Sequence, residues 1–269
     1  ALRESDASND YKYCALMVDG IKLKEHIEYD SYHDRLEGVL DDGTGSSDLV
    51  NEALVFMACG LRVPWKKPVA YFLIRSITAQ PLSQLIKDVI IELASVGIQV
   101  LTFTCDGLAT NISALSNLGC IFKPNEMVNS FRNPCDESKF VHVFLDPAHM
   151  LKLVRNGFAA AKEIQTADGL AKWQHIVDLE RIQSERGLKL ANKLSKLHVH
   201  FHSQKMKVYI AAQTISKSVA LALKLLRELG MPQFADSYPT EQFLLRFDAI
   251  FDRLNGRHPY EKGNKAPLS

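Results

Sequence analysis

The stretch Ile98-Gln99-Val100-Leu101-Thr102-Phe103-Thr104-Cys105-Asp106-Gly107 decides the fold. It is a β-branched and aromatic run that stops at an aspartate followed by a glycine, and it reads as a buried strand and its exit. An earlier stretch has the same form, with Tyr13-Cys14-Ala15-Leu16-Met17-Val18 running into Asp19-Gly20. Between the two, Leu82, Leu85, Ile86, Val89, Ile90, Leu93 and Val96 recur at helical spacing over 82–96, and Gly97 supplies the stop. Strand, helix and strand in that order imply a layered α/β unit.

Further elements extend the pattern on both sides. Pro68-Val69-Ala70-Tyr71-Phe72-Leu73-Ile74 reads as a strand, 109–118 as a helix stopped by Gly119, and Phe140-Val141-His142-Val143-Phe144-Leu145 as a last strand ending at Asp146. Residues 21–42 have the look of a hairpin region, 43–48 of a turn-rich loop, and 49–60 form an apolar element whose type stays open. Together these predict a mixed sheet with flanking helices over 1–150. From Asp146 the pattern becomes helical, with Asp146 as N-cap and Pro147 at the first helical position, where its missing N–H costs nothing. Helices are expected over 148–163, 168–186, 204–229 and 240–254, so 151–269 forms a second, mainly α-helical domain.

Composition narrows the function classes. The 269 residues are 46% hydrophobic and 23% charged, globular values that leave room for a sizeable core. No apolar run approaches the roughly 20 residues that cross a bilayer, so no membrane partner is expected. No leader pattern is visible, and the opening Ala-Leu-Arg suggests a fragment. Cys14, Cys59, Cys105, Cys120 and Cys135 are scattered without a C-x-x-C pair, which fits reduced thiols of a cytosolic or nuclear protein and argues against a zinc module. His198, His200 and His202 alternate; in a strand they would share one face, as metal ligands or, more simply, as a solvated basic face. Charge is unevenly spread. Residues 1–150 hold 13 Lys and Arg against 20 Asp and Glu, whereas 151–269 hold 19 against 11. An acidic half with carboxylates for a cation, joined to a basic half that meets a polyanion, is the simplest functional reading; lysine-rich solvated helix faces would give the same count.

Asp19 and Asp106 carry the chemistry. If their strands are neighbours, both carboxylates leave the same end of the sheet. Clustered carboxylates repel unless a divalent cation neutralises them, and hard oxygen ligands suit Mg²⁺ or Mn²⁺. Ions held there could activate a water or a 3′-hydroxyl and stabilise the leaving oxygen of a phosphodiester. Either Asp-Gly pair alone is also an ordinary turn.

Residues 13–156 resemble the catalytic region of the P-element transposase family. The resemblance rests on Val18-Asp19-Gly20, Trp65-Lys66-Lys67-Pro68-Val69-Ala70-Tyr71-Phe72, and Thr104-Cys105-Asp106-Gly107 with Asn111 and Gly119. Its most specific part is Asp146-Pro147-Ala148-His149-Met150-Leu151-Lys152-Leu153-Val154-Arg155-Asn156. The second half matches at Lys205-Met206-Lys207-Val208 with Ala212-Gln213 and Ser216, and at Phe251-Asp252-Arg253-Leu254-Asn255. The resemblance implies an RNase H-like fold in which Asp19 and Asp106 are the first two metal-binding acids of a DNA transposase. It also implies a nuclear protein, DNA (transposon ends and target) as partner, and assembly as a homo-oligomer on that DNA. The family's third acid is a glutamate beyond the insertion domain, and no residue here matches it. The fragment is thus expected to bind metal weakly and not to cut DNA, and a domesticated, inactive DNA- or protein-binding derivative is the competing reading. His149, Lys152 and Arg155, at i, i+3 and i+6, could approach DNA phosphates, or His149 could be a buried hydrogen-bonding residue.

No P-loop is present in 150–269; the tail from Gly256 to Lys265 lacks its spacing. Yet the resemblance implies that this insertion domain binds GTP as an assembly cofactor, with Lys207, Val208, Ser216, Asp252 and Asn255 at the nucleotide and Lys193 as a looser match. Lysines suit phosphates, and a carboxylate can accept both N1–H and the exocyclic amine of guanine. Asp252 and Asn255 could equally be ordinary residues of a helix end before Gly256.

Overall fold

The computed structural model describes residues 10–32, 34–38, 40, 49–187, 189–190, 192–256, 260 and 262–266. They form two compact units, Ala1–Asp146 and Pro147–Ser269. The loop expected at 43–48, and part of the tail after Gly256, lie outside the described residues.

In the first unit β1 (Tyr13–Lys22), β4 (Glu52–Gly60), β5 (Lys66–Ile74), β6 (Gln99–Cys105), β9 (Ser130–Asn133) and β10 (Asp136–Leu145) make one sheet in the order β5-β4-β1-β6-β10-β9. The pairs β1–β6 and β6–β10 are parallel, and the others are antiparallel. Two small hairpins, β2 (Glu28–Asp30) with β3 (Arg35–Glu37) and β7 (Ile121–Lys123) with β8 (Glu126–Val128), stand outside that sheet. Helices α1 (Ala79–Ser95) and α2 (Ala109–Leu118) supply the crossover connections that parallel strands need.

The apolar stripe of α1 decides which face is covered. Leu82, Ile86, Val89, Ile90 and Leu93 are buried with Leu16, Phe56, Val100, Phe103, Val141 and Val143 of the strands. Each such side chain contributes about 1.5–3 kcal/mol on leaving water. Alternation along a strand then puts Met17 and Asp19 of β1, and Thr104 of β6, on the opposite face from Leu16 and Phe103. On that side Ile21, Met57, Tyr71 and Phe144 remain exposed.

One reading of the first half is corrected, one open element is assigned, and one set of strands is new. The apolar element at 49–60, whose type the sequence leaves open, is the antiparallel strand β4, second in the sheet order. Asp19-Gly20 does not end β1, which runs on to Lys22, because β4 pairs with it as far as Glu52. The short strands over 121–133 carry too few residues to show a period, and sequence pattern missed them.

The second unit comprises α3 (Pro147–Ala161), a hairpin of β11 (Glu163–Thr166) and β12 (Gly169–Lys172), α4 (Gln174–Arg186), α5 (Lys196–Val199), α6 (Val208–Thr214), α7 (Lys217–Glu228) and α8 (Tyr238–Leu254). Its core centres on Phe158, whose ring meets Trp173 edge-on at 5.5 Å and Phe243 at 4.7 Å. The helix expected over 168–186 starts six residues late, because Gly169 at φ 123° turns the chain into the hairpin first. The helix expected over 204–229 is two. Ser216 breaks it by capping α7, its Oγ accepting from the Val219 amide at 3.3 Å. The three alternating histidines do not lie on a strand. His198 is buried in α5 between the Ser195 hydroxyl and Gln213, each at 2.9 Å, and His202 stacks on Phe201. No helix among the described residues is long and apolar enough to cross a membrane.

Candidate active site and nucleotide residues

Strand register brings the two acids together. Met17 stands opposite Thr104 in the parallel β1–β6 ladder, and two residues further along each strand come Asp19 and Asp106. Both line one cavity of about 260 Å³ at this sheet end, with Glu52, Arg75 and Asn111. The ladder between β6 and β10 continues the row. Leu145 pairs with Cys105, and the Asp146 amide donates to the Cys105 carbonyl at 2.8 Å, so a third aspartate follows a third parallel strand.

Each side chain is held locally. Asp106 Oδ1 accepts from Asn111 Nδ2 at 2.6 Å and from the Leu108 amide at 3.0 Å, which anchors it to the first turn of α2. Asp19 Oδ1 accepts from the Gly20 amide at 2.9 Å. Beside it Glu52 pairs with Lys22 at 2.6 Å, and a Cβ on Gly20 would stand 2.1 Å from Glu52 Oε1. Gly20 therefore leaves room for the Glu52 carboxylate, a residue that sequence spacing did not single out. Mg²⁺ commonly binds through one or two carboxylates, keeping waters and substrate phosphates as its other ligands, and this donor pair fits that habit. Among the described residues no group of three or more His, Cys, Asp or Glu is placed to hold a metal by itself.

Three thiols of this unit are buried and disfavoured as thiolates. Burial pushes Cys14 and Cys105 up to about 12 and Cys120 up to about 11, and neighbouring Cys59 and Asp106 add to the shifts of the first two.

In the second unit the structure turns two of the three residues expected at DNA phosphates inward. Arg155 is fully buried, with Nε donating to Asn156 Oδ1 at 2.7 Å, Nη2 to the Lys205 carbonyl at 2.9 Å, and the guanidinium over the Phe201 ring at 3.9 Å. Burial lowers its pKa. Lys152 is only 5% exposed. Both face a core that α3 shares with the following turns, so neither is presented to a polyanion. His149 is half-buried and engaged. The i, i+3, i+6 spacing was real, but it marked the inward face of the helix.

The expected nucleotide residues fall into two groups. Ser216 opens α7, and Asp252 lies near the far end of α8, 3.9 Å from Lys265 Nζ. The two helices run antiparallel, pinned at their other ends by Arg227, which donates to Glu241 at 2.9 and 3.0 Å. This brings the Ser216 end beside the Asp252 end. Asp248, one turn before Asp252, faces the Lys217 amide there. Burial raises its pKa, and the Asp252 charge adds to the rise against the pull of that amide. Sequence reasoning missed Asp248, although its i, i+4 relation to Asp252 was visible. Lys207 and Val208 start α6, with Lys207 Nζ 6.0 Å from the Tyr209 ring centre. Lys193 lies exposed on the connection from α4 to α5, and Asn255 is exposed just after α8.

A mixed sheet of this order, with aspartates in register on neighbouring parallel strands, defines an RNase H-like fold, and a helical unit follows its last strand. Family models agree. Residues 1–119 match the TNP-like RNase H N-terminal domain, and residues 148–267 match the TNP-like GTP-binding insertion domain. The chain is 32% identical over 263 residues to the DNA transposase THAP9 of Homo sapiens, covering 96% of this chain and 29% of that protein. It is 26% identical over 258 residues to the Transposable element P transposase of Drosophila melanogaster, covering 95% of this chain and 32% of that protein. The solved Drosophila P element transposase strand transfer complex superposes with a TM-score of 0.80 at 22% identity, over 97% of this chain and 55% of that one. The chain thus spans about a third of the length of these curated relatives. It belongs to the P-element-like transposase family.

Proposed function

We propose that this chain is part of a nuclear DNA transposase that cuts and joins DNA with divalent metal, and that its second unit binds GTP as an assembly cofactor. The observation that carries the catalytic reading is the register of Asp19 and Asp106 over a shared cavity. These carboxylates would hold Mg²⁺ or Mn²⁺, which supplies Lewis-acid activation of the attacking oxygen and stabilises the leaving one. Asn111 and the α2 start keep Asp106 aimed, and Gly20 lets Glu52 close the side of the cavity. DNA as partner is supported by the solved relative, a strand transfer complex, and by the excess of basic residues in 151–269. Homo-oligomeric assembly on DNA belongs to the same reading.

For the nucleotide, the matched family description and the neighbouring ends of α7 and α8, joined by Asp248 at the Lys217 amide, give the support. Lys207 and Lys193 would meet phosphates, Val208 and Asn255 would flank the ligand, and Asp252 would accept from the guanine edge. The competing reading is a domesticated, catalytically inactive DNA- or protein-binding derivative of such a transposase. The decisive experiment is Asp106→Asn in the full-length protein. Loss of Mg²⁺-dependent cleavage with DNA binding retained supports the catalytic reading, whereas equal cleavage by variant and parent removes it, and absence of cleavage in the parent supports the derivative.

A further inference from the structure

A second opening in the helical unit has a feature that packing alone leaves unexplained. A cavity of about 390 Å³ lies between α4 and the start of α5. Gln183 lines it and is only 4% exposed. Gln183 Oε1 accepts from the Leu190 amide and from Asn192 Nδ2, both at 2.9 Å. Asn192 cannot be turned the other way round, because its own Oδ1 accepts from the Leu194 amide at 3.0 Å. The orientation of Gln183 is therefore fixed by two backbone amides, and its Nε2 is left buried with no acceptor. A buried donor without a partner costs about 1–3 kcal/mol. The missing partner must bring an oxygen.

The rim says what kind of oxygen. Lys189 and Lys196 line the same cavity with exposed side chains, and neither forms an ion pair among the described residues. Lys193 stands in the same connection. The one carboxylate in the lining, Glu180, already accepts from the Ser184 hydroxyl at 2.6 Å. Exposed cations and a buried, unsatisfied amide in the same lining ask for a charged, multi-oxygen acceptor rather than a neutral carbonyl. We propose that this cavity binds a phosphate group, with Gln183 Nε2 donating to one oxygen and Lys189 and Lys196 meeting its charge. The phosphate can belong to a nucleotide or be free. The inference does not rest on the GTP reading, with which it shares only Lys193.

The test is titration of the intact chain by calorimetry with tripolyphosphate, GTP, ATP and guanosine, in the parent and in two variants. Gln183→Glu keeps an oxygen for Leu190 and Asn192 but replaces the donor with a negative acceptor. Lys196→Glu reverses one exposed charge without touching the core, so it remains informative if the first variant folds poorly. Tripolyphosphate binding that weakens at least about tenfold in both variants, with guanosine inert, is the expected result. If GTP and tripolyphosphate bind the variants as tightly as the parent, the pocket assignment is overturned while nucleotide binding survives. If tripolyphosphate responds to both variants and GTP binds no better than ATP, the pocket stands and guanine recognition fails. If no phosphate probe binds the parent, the assignment is overturned, and a buried water is left as the acceptor for Gln183.

Discussion

Replacing Arg227 with methionine should expose how α7 and α8 of the second unit are held. Glu241 is 2% exposed, and its carboxylate takes both Arg227 hydrogen bonds and a third from the Ser237 hydroxyl at 2.7 Å. Methionine keeps most of the apolar stem and removes the charge, which strands a buried carboxylate with one hydroxyl donor. Removing one partner of a buried pair costs roughly 3–5 kcal/mol, because the charge left behind keeps its burial and loses its counter-ion. Thermal unfolding of the chain reads this directly, and a midpoint about 10 °C below the parent is expected at pH 7. A second variant, Glu241→Gln in the Arg227→Met background, removes the stranded charge and should recover part of that loss. A deficit under about 1 kcal/mol, or no recovery in the double variant, refutes the assignment of Glu241 as a buried, Arg-dependent carboxylate.

Other outcomes follow from the same structure. Phe158→Ala removes a fully buried ring from the contacts with Trp173 and Phe243, and should cost about 3–5 kcal/mol in chemical denaturation; less than 1 kcal/mol would mean that the core collapses around the hole. Gly20→Ala should displace Glu52 and break its pair with Lys22. Weaker Mn²⁺ binding with an unchanged melting temperature is expected, and unaltered Mn²⁺ affinity would separate Glu52 from the site. Asp252→Asn should lower GTP affinity at least about tenfold and leave ATP unaffected, read by calorimetry. Brief iodoacetamide treatment of the folded chain at pH 8 should label exposed Cys135 and spare Cys14, Cys105 and Cys120, whose thiols burial holds near 11 to 12. Equal labelling of all four would contradict their burial.

Sequence by itself determined the repeating elements and the chemistry at their ends. The helix of α2, the strands β5 and β6, and the aspartates after apolar runs were legible because hydrophobic period, Gly stops and acidic exits are local properties of the chain. Two aspartates 87 positions apart became a site only through the parallel pairing of β1 with β6, since register is set by long-range contacts that no local pattern encodes. The helical face of His149, Lys152 and Arg155 shows the opposite case. Spacing told that the side chains share a face, but which way the face points is fixed by what packs on it, and Phe201 and the Lys205 carbonyl enclose Arg155. Likewise Glu52 and Gln183 carry no distinguishing signal in sequence, and Asp248 carries only its i, i+4 spacing from Asp252. Their roles arise from a missing Cβ on Gly20, an amide at the start of α7, and a buried donor whose acceptor the fold does not provide.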